Sequence, residues 1–563
     1  MLIWNLFFFA KILLWWGDKM QFLPLANAGL LLIVLGASWM YRRSRLIGVV
    51  LNVFVVLPLA IGLVLKEVGM VLTTALLQQI QNLLGFSQEY LLELLGRTFP
   101  AEVVWGGLAL LASLQILNRY FRLSTWTALA VLAVGVHITL EQREQAAMEE
   151  MLAKRAELMA QASSNNARTA RLEAERISLT PDQFAKLKNL LEEREKANGE
   201  LTEDTPNGHL NAFFKQEAER IHASYRPLTV PDFDVIFLHV CSLAWADLEV
   251  SMQKRHPLLD EADLVFNDFN TAASYSGPAT IRFLRGNCGQ PKHESLYSPI
   301  DDECALFNSL SNAGFSVQMG MNHDGIFDDF KKQVIDNLDT TSTEPVLFNE
   351  VSLGGIAFDG SELGRDSEFL KKWWDRRVKM TKAPVAMYYN SITLHDGNLL
   401  PNSDMSSLES YPIRLERLLN DLKNFIDYLK ESDRKALVVL LPEHGAGMSG
   451  EYGQLKGLRE LPTPAITKVP VLAYWISNEY TRRDIYKFPI EVNKPTSYRS
   501  VTEFLSRWIA LPPPQRNDPR WPLLTSDLPG TPFVAQQDQV TVMRYRDKYM
   551  FRSFQNRWQP LKD

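Results

Sequence analysis

Three cysteines in 563 residues are too few for a disulfide scaffold, so the fold rests on a hydrophobic core, with room for one bridge and one odd thiol. Basic charge gives no excess either. Fifty-nine Lys and Arg against 65 Asp and Glu leave a net charge of −6, and no basic surface recommends nucleic acid as a partner. The nine histidines are scattered without finger spacing, so any metal site must be assembled from distant segments. Low-complexity sequence is scarce as well: 46% hydrophobic and 10% aromatic residues exclude a mostly disordered chain.

What the chain does have is asymmetry. Residues 1–140 are mostly apolar and form an expected transmembrane domain of four or five helices, with candidate spans at 2–16, 22–40, 46–65, 103–117 and 123–140. The first is short and carries Lys11, so an interfacial helix is its alternative; with no basic start and further spans following, a cleaved signal peptide is disfavoured. Arg42, Arg43 and Arg45 in one short loop and Arg119 and Arg122 in another favour the cytoplasmic side for both. The soluble part then lies outside, whichever span count holds. Segment 66–100 between them is amphipathic, with Leu76, Leu77, Ile80, Leu83, Leu84, Leu91, Leu92, Leu94 and Leu95. It is expected on the membrane surface or packed on the bundle.

Residues 141–226 are rich in Glu, Lys, Arg, Ala and Gln and read as a helical, charged linker, with a helix start at Thr180-Pro181. From 227 to 563 short apolar runs alternate with amphipathic stretches. Strands are expected at 234–240, 316–319, 346–351, 385–389, 436–441 and 471–476, and covering helices at 327–337, 366–377 and 408–430. That alternation predicts an α/β domain, a mainly parallel sheet sandwiched by helices. The end of the chain alternates around Asp547-Lys548 and is expected to add a hairpin at the sheet edge.

Open α/β sheets place their chemistry at strand tips. One tip ends in Pro442-Glu443-His444-Gly445, a carboxylate beside an imidazole; another, 234–240, delivers Cys241 and Ser242. A free Cys is most often a small buried hydrophobe, but parallel neighbours would bring these tips together. His239 reads as a core histidine. In Ser274-Tyr275-Ser276-Gly277-Pro278, the proline just inside a helix start makes Ser276 the N-cap, with its hydroxyl at the positive helix end where a phosphate is accommodated.

A strand ending in a metal ligand, a Ser opening a helix and a distant acid-His-Gly resemble the alkaline phosphatase and sulfatase superfamily. Within it, Cys241-Ser-Leu-Ala-Trp-Ala-Asp-Leu248, Ser274-Tyr-Ser-Gly-Pro-Ala-Thr-Ile-Arg282, Leu394-His-Asp-Gly-Asn398, Pro442-Glu-His-Gly445 and Gly457-Leu-Arg-Glu-Leu-Pro462 look like the cellulose phosphoethanolamine transferases, the G subunits of bacterial cellulose secretion systems. The resemblance covers 231 to the end and fits the apolar part in outline. The superfamily commonly has a carboxylate where Cys241 stands, Asp where Glu443 stands, and in lipid A-type transferases a histidine where Arg459 stands.

The resemblance implies one zinc ion on Cys241, Glu443, His444 and the Ser276 oxygen, a donor set that suits zinc better than magnesium or calcium. It implies Ser276 as nucleophile, His395 against the phosphoryl group or protonating the departing oxygen, and Arg459 on a phosphodiester oxygen. Tyr275 joins them as a catalytic candidate. For Tyr275, Trp245, Trp373 and Trp374 stacking on sugar rings is conceivable, with core packing the default. His323 is expected to serve its loop rather than the site. Cys288 and Cys304 flank a polar loop and are expected to form a disulfide worth about 3 kcal/mol in an oxidising periplasm, the alternative being that one of them replaces Cys241 at the metal.

The implied activity is transfer of phosphoethanolamine from phosphatidylethanolamine to glucosyl hydroxyls of nascent cellulose through a covalent intermediate on Ser276. The implied setting is the bacterial inner membrane, with the catalytic domain in the periplasm and cellulose synthase subunits as partners. The alternatives are a hydrolase of the same fold, a phosphodiesterase or sulfatase, or a mainly structural subunit. Against the sulfatase, Ser276-Gly-Pro-Ala lacks the arginine that a Cys/Ser-x-Pro-x-Arg motif requires.

Overall fold

The computed structural model describes residues 2–17, 20–68, 84–98, 100–120, 122–161, 205–339, 341–380, 383–451, 454–480, 487–516, 519–552 and 558–561. The expected helix start at Thr180 and the leucines from 76 to 83 lie outside them. The chain divides into two compact units, Met1–Gln79 with Phe99–Glu200 and Phe554–Arg557, and Ile80–Thr98 with Leu201–Ser553 and Trp558–Asp563.

The first unit is helical. Among the described residues Pro24–Arg43, Arg45–Glu67 and Leu123–Arg143 are long and apolar enough to cross a membrane. A further helix, Ala101–Tyr120, covers the span expected at 103–117. Leu2–Trp16 is a shorter apolar helix whose Lys11 is buried, with Nζ 2.5 Å from Glu67 Oε2 and 2.6 Å from Asn27 Oδ1. An ionisable residue on an apolar helix turns inward to a partner because apolar surroundings cannot solvate it. Phe8 on the same helix is fully buried beside Leu30, Val56 and Val131, so this segment is packed into the bundle.

The second unit is built on a seven-stranded sheet in the order β3 (Ser316–Met321), β6 (Val385–Ser391), β1 (Phe233–Val240), β7 (Lys435–Leu440), β8 (Lys468–Ile476), β2 (Leu264–Asn270), β9 (Ile490–Val492). All pairings are parallel except those of β8, so six strands share one direction and β8 runs against them. Between β3 and β6 in sequence, β4 (Leu353–Ile356) and β5 (Glu362–Gly364) form a small ribbon of their own.

The central strands are buried on both faces, as parallel strands with helical covers must be. On β1 the two-residue period sends Phe233, Val235 and Phe237 to one side, against helices Ser276–Leu284, Leu306–Asn312 and Tyr498–Ala510. Ile236, Leu238 and Val240 go to the other, against Asp366–Met380 and Ser407–Lys430. Trp373 and Trp374 are 0% and 1% exposed in that second layer, which makes them core residues and not sugar platforms.

Four expectations are corrected. Segment 346–351 is no strand: Val346 is buried, but Phe348–Glu350 form a 3-10 turn, closed by the Glu350 carboxylate accepting from the Leu347 N–H at 3.0 Å. Strands β2 and β9 were not expected; in Leu264–Asn270 the polar Asn267 and Asp268 sit at a bulge between Phe266 and Phe269 and hide the alternation. The C-terminal hairpin does turn at Arg546 and Asp547, but it joins a separate antiparallel sheet of β10 (Val534–Gln537), β11 (Val540–Tyr545), β12 (Lys548–Arg552) and β13 (Trp558–Pro560), not the edge of the main sheet. The described end of segment 66–100, helix Gln88–Thr98, packs on this second unit through Tyr90. Upstream of the sheet, helix Pro206–Ala218 is capped by Thr205 and lays Leu210, Phe213 and Phe214 against Val534 and Met543.

Candidate metal centre

Because β1 pairs with β7 in parallel register, both chains end on the same side of the sheet. The ladder continues past the strands: Leu441 N–H donates to Leu238 O at 2.9 Å and Glu443 N–H to Val240 O at 2.8 Å. Cys241 N–H reaches across to Ser391 O of β6 at 2.9 Å, and Leu243 N–H to His444 O at 2.6 Å. Backbone bonds thus fix where Cys241, Glu443 and His444 stand before any side chain is considered.

Asp247 locks the two tips together. Its buried carboxylate accepts from Ala244 N–H at 2.9 Å, Ala446 N–H at 2.7 Å and Met448 N–H at 3.0 Å. Burial pushes this carboxyl up, to about 6, against the pull of the three donors. The tips approach so closely that a methyl on Gly445 would lie 2.6 Å from Ala244 Cβ, which only glycine tolerates.

The Cys241, Glu443 and His444 ligand atoms all lie within 4.8 Å of one another, and all three residues are fully buried. Ser276 Oγ is 3.4 Å from both Cys241 Sγ and His444 Nε2. Ser276 opens helix Ser276–Leu284 as its first helical residue and Tyr275 is the N-cap, so the expected cap assignment is off by one. The hydroxyl still sits at the positive helix end.

This donor set fits a metal ion. His444 Nδ1 lies 2.9 Å from Gly445 O and donates to it, which leaves the Nε2 lone pair aimed at Cys241 and Ser276. Glu443 Oε2 is buried, and no hydrogen bond to it is formed among the described residues. Burial pushes the Cys241 thiol up, to about 12, with Glu443 adding to the rise. Burial likewise raises the Glu443 carboxyl and drives the His444 imidazolium well down, the latter helped by Arg459. A thiol, a carboxyl and an imidazole crowded together in a buried site gain from a positive ion at their centre.

Behind them runs a directional chain that sequence reading missed. Gly325 N–H donates to His323 Nδ1 at 3.2 Å, so His323 Nε2–H donates to Asn390 Oδ1 at 2.9 Å, and Asn390 Nδ2–H donates to Glu443 Oε1 at 2.6 Å. His323 therefore orients a site residue from its loop. His239 is a core histidine as expected, fully buried with Nδ1 3.1 Å from Tyr388 Oη and its ring 5.0 Å from Phe283.

Arg459 is buried, with Nη1 3.1 Å from Ser242 Oγ and its guanidinium 5.7 Å from the Tyr275 ring. Among the described residues no carboxylate forms an ion pair with it, which leaves the fork open to an anion. Tyr275 donates its hydroxyl to Glu460 Oε1 at 2.6 Å. His395 stacks on Phe358 at 4.1 Å, and its Nδ1 is 2.6 Å from Asp396 O, so Nε2 is left as an acceptor. Burial and Arg459 hold its imidazolium below the ordinary range. Cys288 and Cys304 form a disulfide, and Cys241 is the free, buried cysteine.

Two family models match this chain. Residues 4–136 match the Cellulose biosynthesis protein BcsG N-terminal domain, and residues 191–558 its C-terminal domain. The chain belongs to the BcsG family. Relatives of that description from Salmonella typhimurium and Escherichia coli are each 29% identical, over 559 and 564 residues, 99% of this chain and 95% of theirs. A solved protein of the alkaline phosphatase superfamily from Vibrio parahaemolyticus aligns over 66% of this chain and 93% of its own at 15% identity, with a TM-score of 0.43.

Proposed function

We propose that this member of the family is an inner-membrane phosphoethanolamine transferase, with its catalytic domain in the periplasm, that carries phosphoethanolamine from phosphatidylethanolamine to glucosyl hydroxyls of nascent cellulose. The observation that carries the reading is the convergence of the Ser276 hydroxyl on the buried Cys241, Glu443 and His444 cluster. A zinc ion held by those three residues would supply the positive charge that eases loss of the serine proton and offsets charge on the phosphoryl group.

The chain's own residues then divide the work. Ser276 Oγ attacks phosphorus; the Oγ–P bond forms, the bond to the glyceryl oxygen breaks, and diacylglycerol leaves with the proton that the serine gave up. Arg459, buried and without a carboxylate ion pair among the described residues, takes a phosphoryl oxygen through its fork. In the second step a glucosyl hydroxyl, most simply the primary one, attacks phosphorus, the Oγ–P bond breaks, and the sugar's proton is returned to Ser276. His395, neutral and with Nε2 free to accept, suits the removal of that sugar proton better than protonation of a departing oxygen. The apolar helices suit a lipid donor and association with cellulose synthase subunits.

The test is transfer of labelled ethanolamine from phosphatidylethanolamine vesicles to cello-oligosaccharides by the full-length protein. Label in the sugar that is lost in Ser276→Ala supports the reading; release of free phosphoethanolamine with no label in any sugar would make the protein a hydrolase.

A further inference from the structure

Helix Gln88–Thr98 lies in the chain between the apolar helices Leu57–Val68 and Ala101–Tyr120, roughly 300 residues from the site loops, yet two of its side chains are spent on one of those loops and a third on the helix start that follows it. Arg97 grips the Asp396 carboxylate with two bonds, Nη1 to Oδ2 at 2.8 Å and Nη2 to Oδ1 at 3.0 Å, and Tyr90 Oη donates to the same Oδ2 at 2.9 Å. Glu93, paired to Arg97, accepts from Ser407 N–H at 3.2 Å, and Ser407 Oγ accepts from Gly397 N–H at 2.7 Å. Tyr90 and Leu94 share one apolar cluster with Cys241, Phe358 and Ile392.

Asp396 follows His395 and is 5% exposed. It stands against the loop that carries Arg459: a methyl on Gly457 would lie 3.5 Å from Asp396 Oδ2 and 3.0 Å from Arg97 Nη1. Asp396 and Arg459 each feel the other's charge. A buried carboxylate beside a buried guanidinium is its natural counterion, and an arginine so engaged has no fork left for a phosphoryl oxygen. Arg97 already holds both carboxylate oxygens, and Tyr90 donates to one of them.

We infer that Arg97 is a positioning residue: by claiming Asp396 it keeps Arg459 free for the anion, so that a segment between two apolar helices of the chain completes the site. This rests on the transferase reading for the identity of the anion. The same arrangement makes Asp396 harmful once Arg97 is gone, and that is the feature a merely structural clip would lack.

The experiment measures binding of inorganic phosphate to full-length, zinc-loaded protein in detergent by calorimetry, with melting temperature recorded for each variant. Arg459→Ala and Arg97→Ala should each weaken phosphate binding about tenfold or more, as loss or capture of a buried cationic anchor does. Asp396→Asn should stay within about threefold of wild type, and Arg97→Ala/Asp396→Asn should return to within about threefold, the signature of coupled sites. A double variant as weak as Arg97→Ala, an Arg97→Ala protein that binds like wild type, or binding indifferent to Arg459→Ala overturns the inference. If Arg97→Ala does not fold, Arg97→Gln replaces it, keeping most of the side chain without the charged fork; a weakening relieved by Asp396→Asn supports the role, and none overturns it. Wild type that binds phosphate in this pattern but never charges Ser276 would instead count against the transferase reading.

Discussion

Ser276 Oγ and Cys241 Sγ lie 3.4 Å apart although one opens a helix and the other follows the end of a strand, 35 residues apart in the chain. A helix start and a strand tip meet there because each is fixed independently, one by the β1 ladder and the other by the helix that covers it. Removing the thiol removes a ligand without disturbing either element. Cys241→Ala should therefore keep its fold and lose bound zinc from about one equivalent to near none, with transfer activity lost in parallel. Metal analysis beside a melting curve checks this; an active, zinc-replete Cys241→Ala protein would place the metal elsewhere.

Asn390 Nδ2–H donates to the Glu443 carboxylate, 2.6 Å to Oε1, and so fixes the plane in which that carboxylate lies. Asn390→Leu should leave the buried strand intact and weaken zinc retention about 10- to 100-fold, as loss of a residue that orients a ligand does elsewhere. Competition with a zinc-sensitive chelator measures it. His323→Ala, one link further back, should do the same more weakly.

His395 keeps its Nδ1–H on the Asp396 carbonyl and is held neutral. In His395→Ala, Ser276 should still become charged, while discharge onto cello-oligosaccharide falls about 100-fold or more, the size of a lost general base. Rapid-quench kinetics separates the two steps. Equal slowing of both would assign His395 to phosphoryl binding instead.

The Cys288–Cys304 bridge closes a short loop beyond helix Ser276–Leu284, with 16 residues of sequence separation. Replacing both cysteines by serine should cost about 3 kcal/mol of stability on the chain-entropy model. Denaturant unfolding of the full chain gives the value, and transfer activity well below the melting temperature should be retained.

Legibility in the sequence followed the length and purity of the signal. Central strands such as 234–240 and 436–441 are unbroken apolar runs, so their tips, and with them Cys241, Glu443 and His444, could be placed on one edge. Strand Leu264–Asn270 was hidden by Asn267 and Asp268, whose bulge breaks the two-residue period. Val346 is core, but its neighbours turn to solvent and to Arg376, so an apolar start at 346–351 did not mature into a strand. The Asn390 chain was invisible because an amide at a strand end carries neither charge nor motif. Tyr90 and Arg97 were invisible for another reason: their partner Asp396 lies 306 and 299 residues away, and amphipathy alone pointed the helix at a lipid surface.

The most direct measurement is the mass of the peptide containing Ser276, from full-length, zinc-loaded protein incubated with phosphatidylethanolamine vesicles in the absence of any sugar. Expected is a phosphoethanolamine adduct on Ser276, absent from Ser276→Ala and removed when cello-oligosaccharide is added. An unmodified Ser276 in protein that nonetheless transfers phosphoethanolamine to the sugar would contradict a covalent serine intermediate.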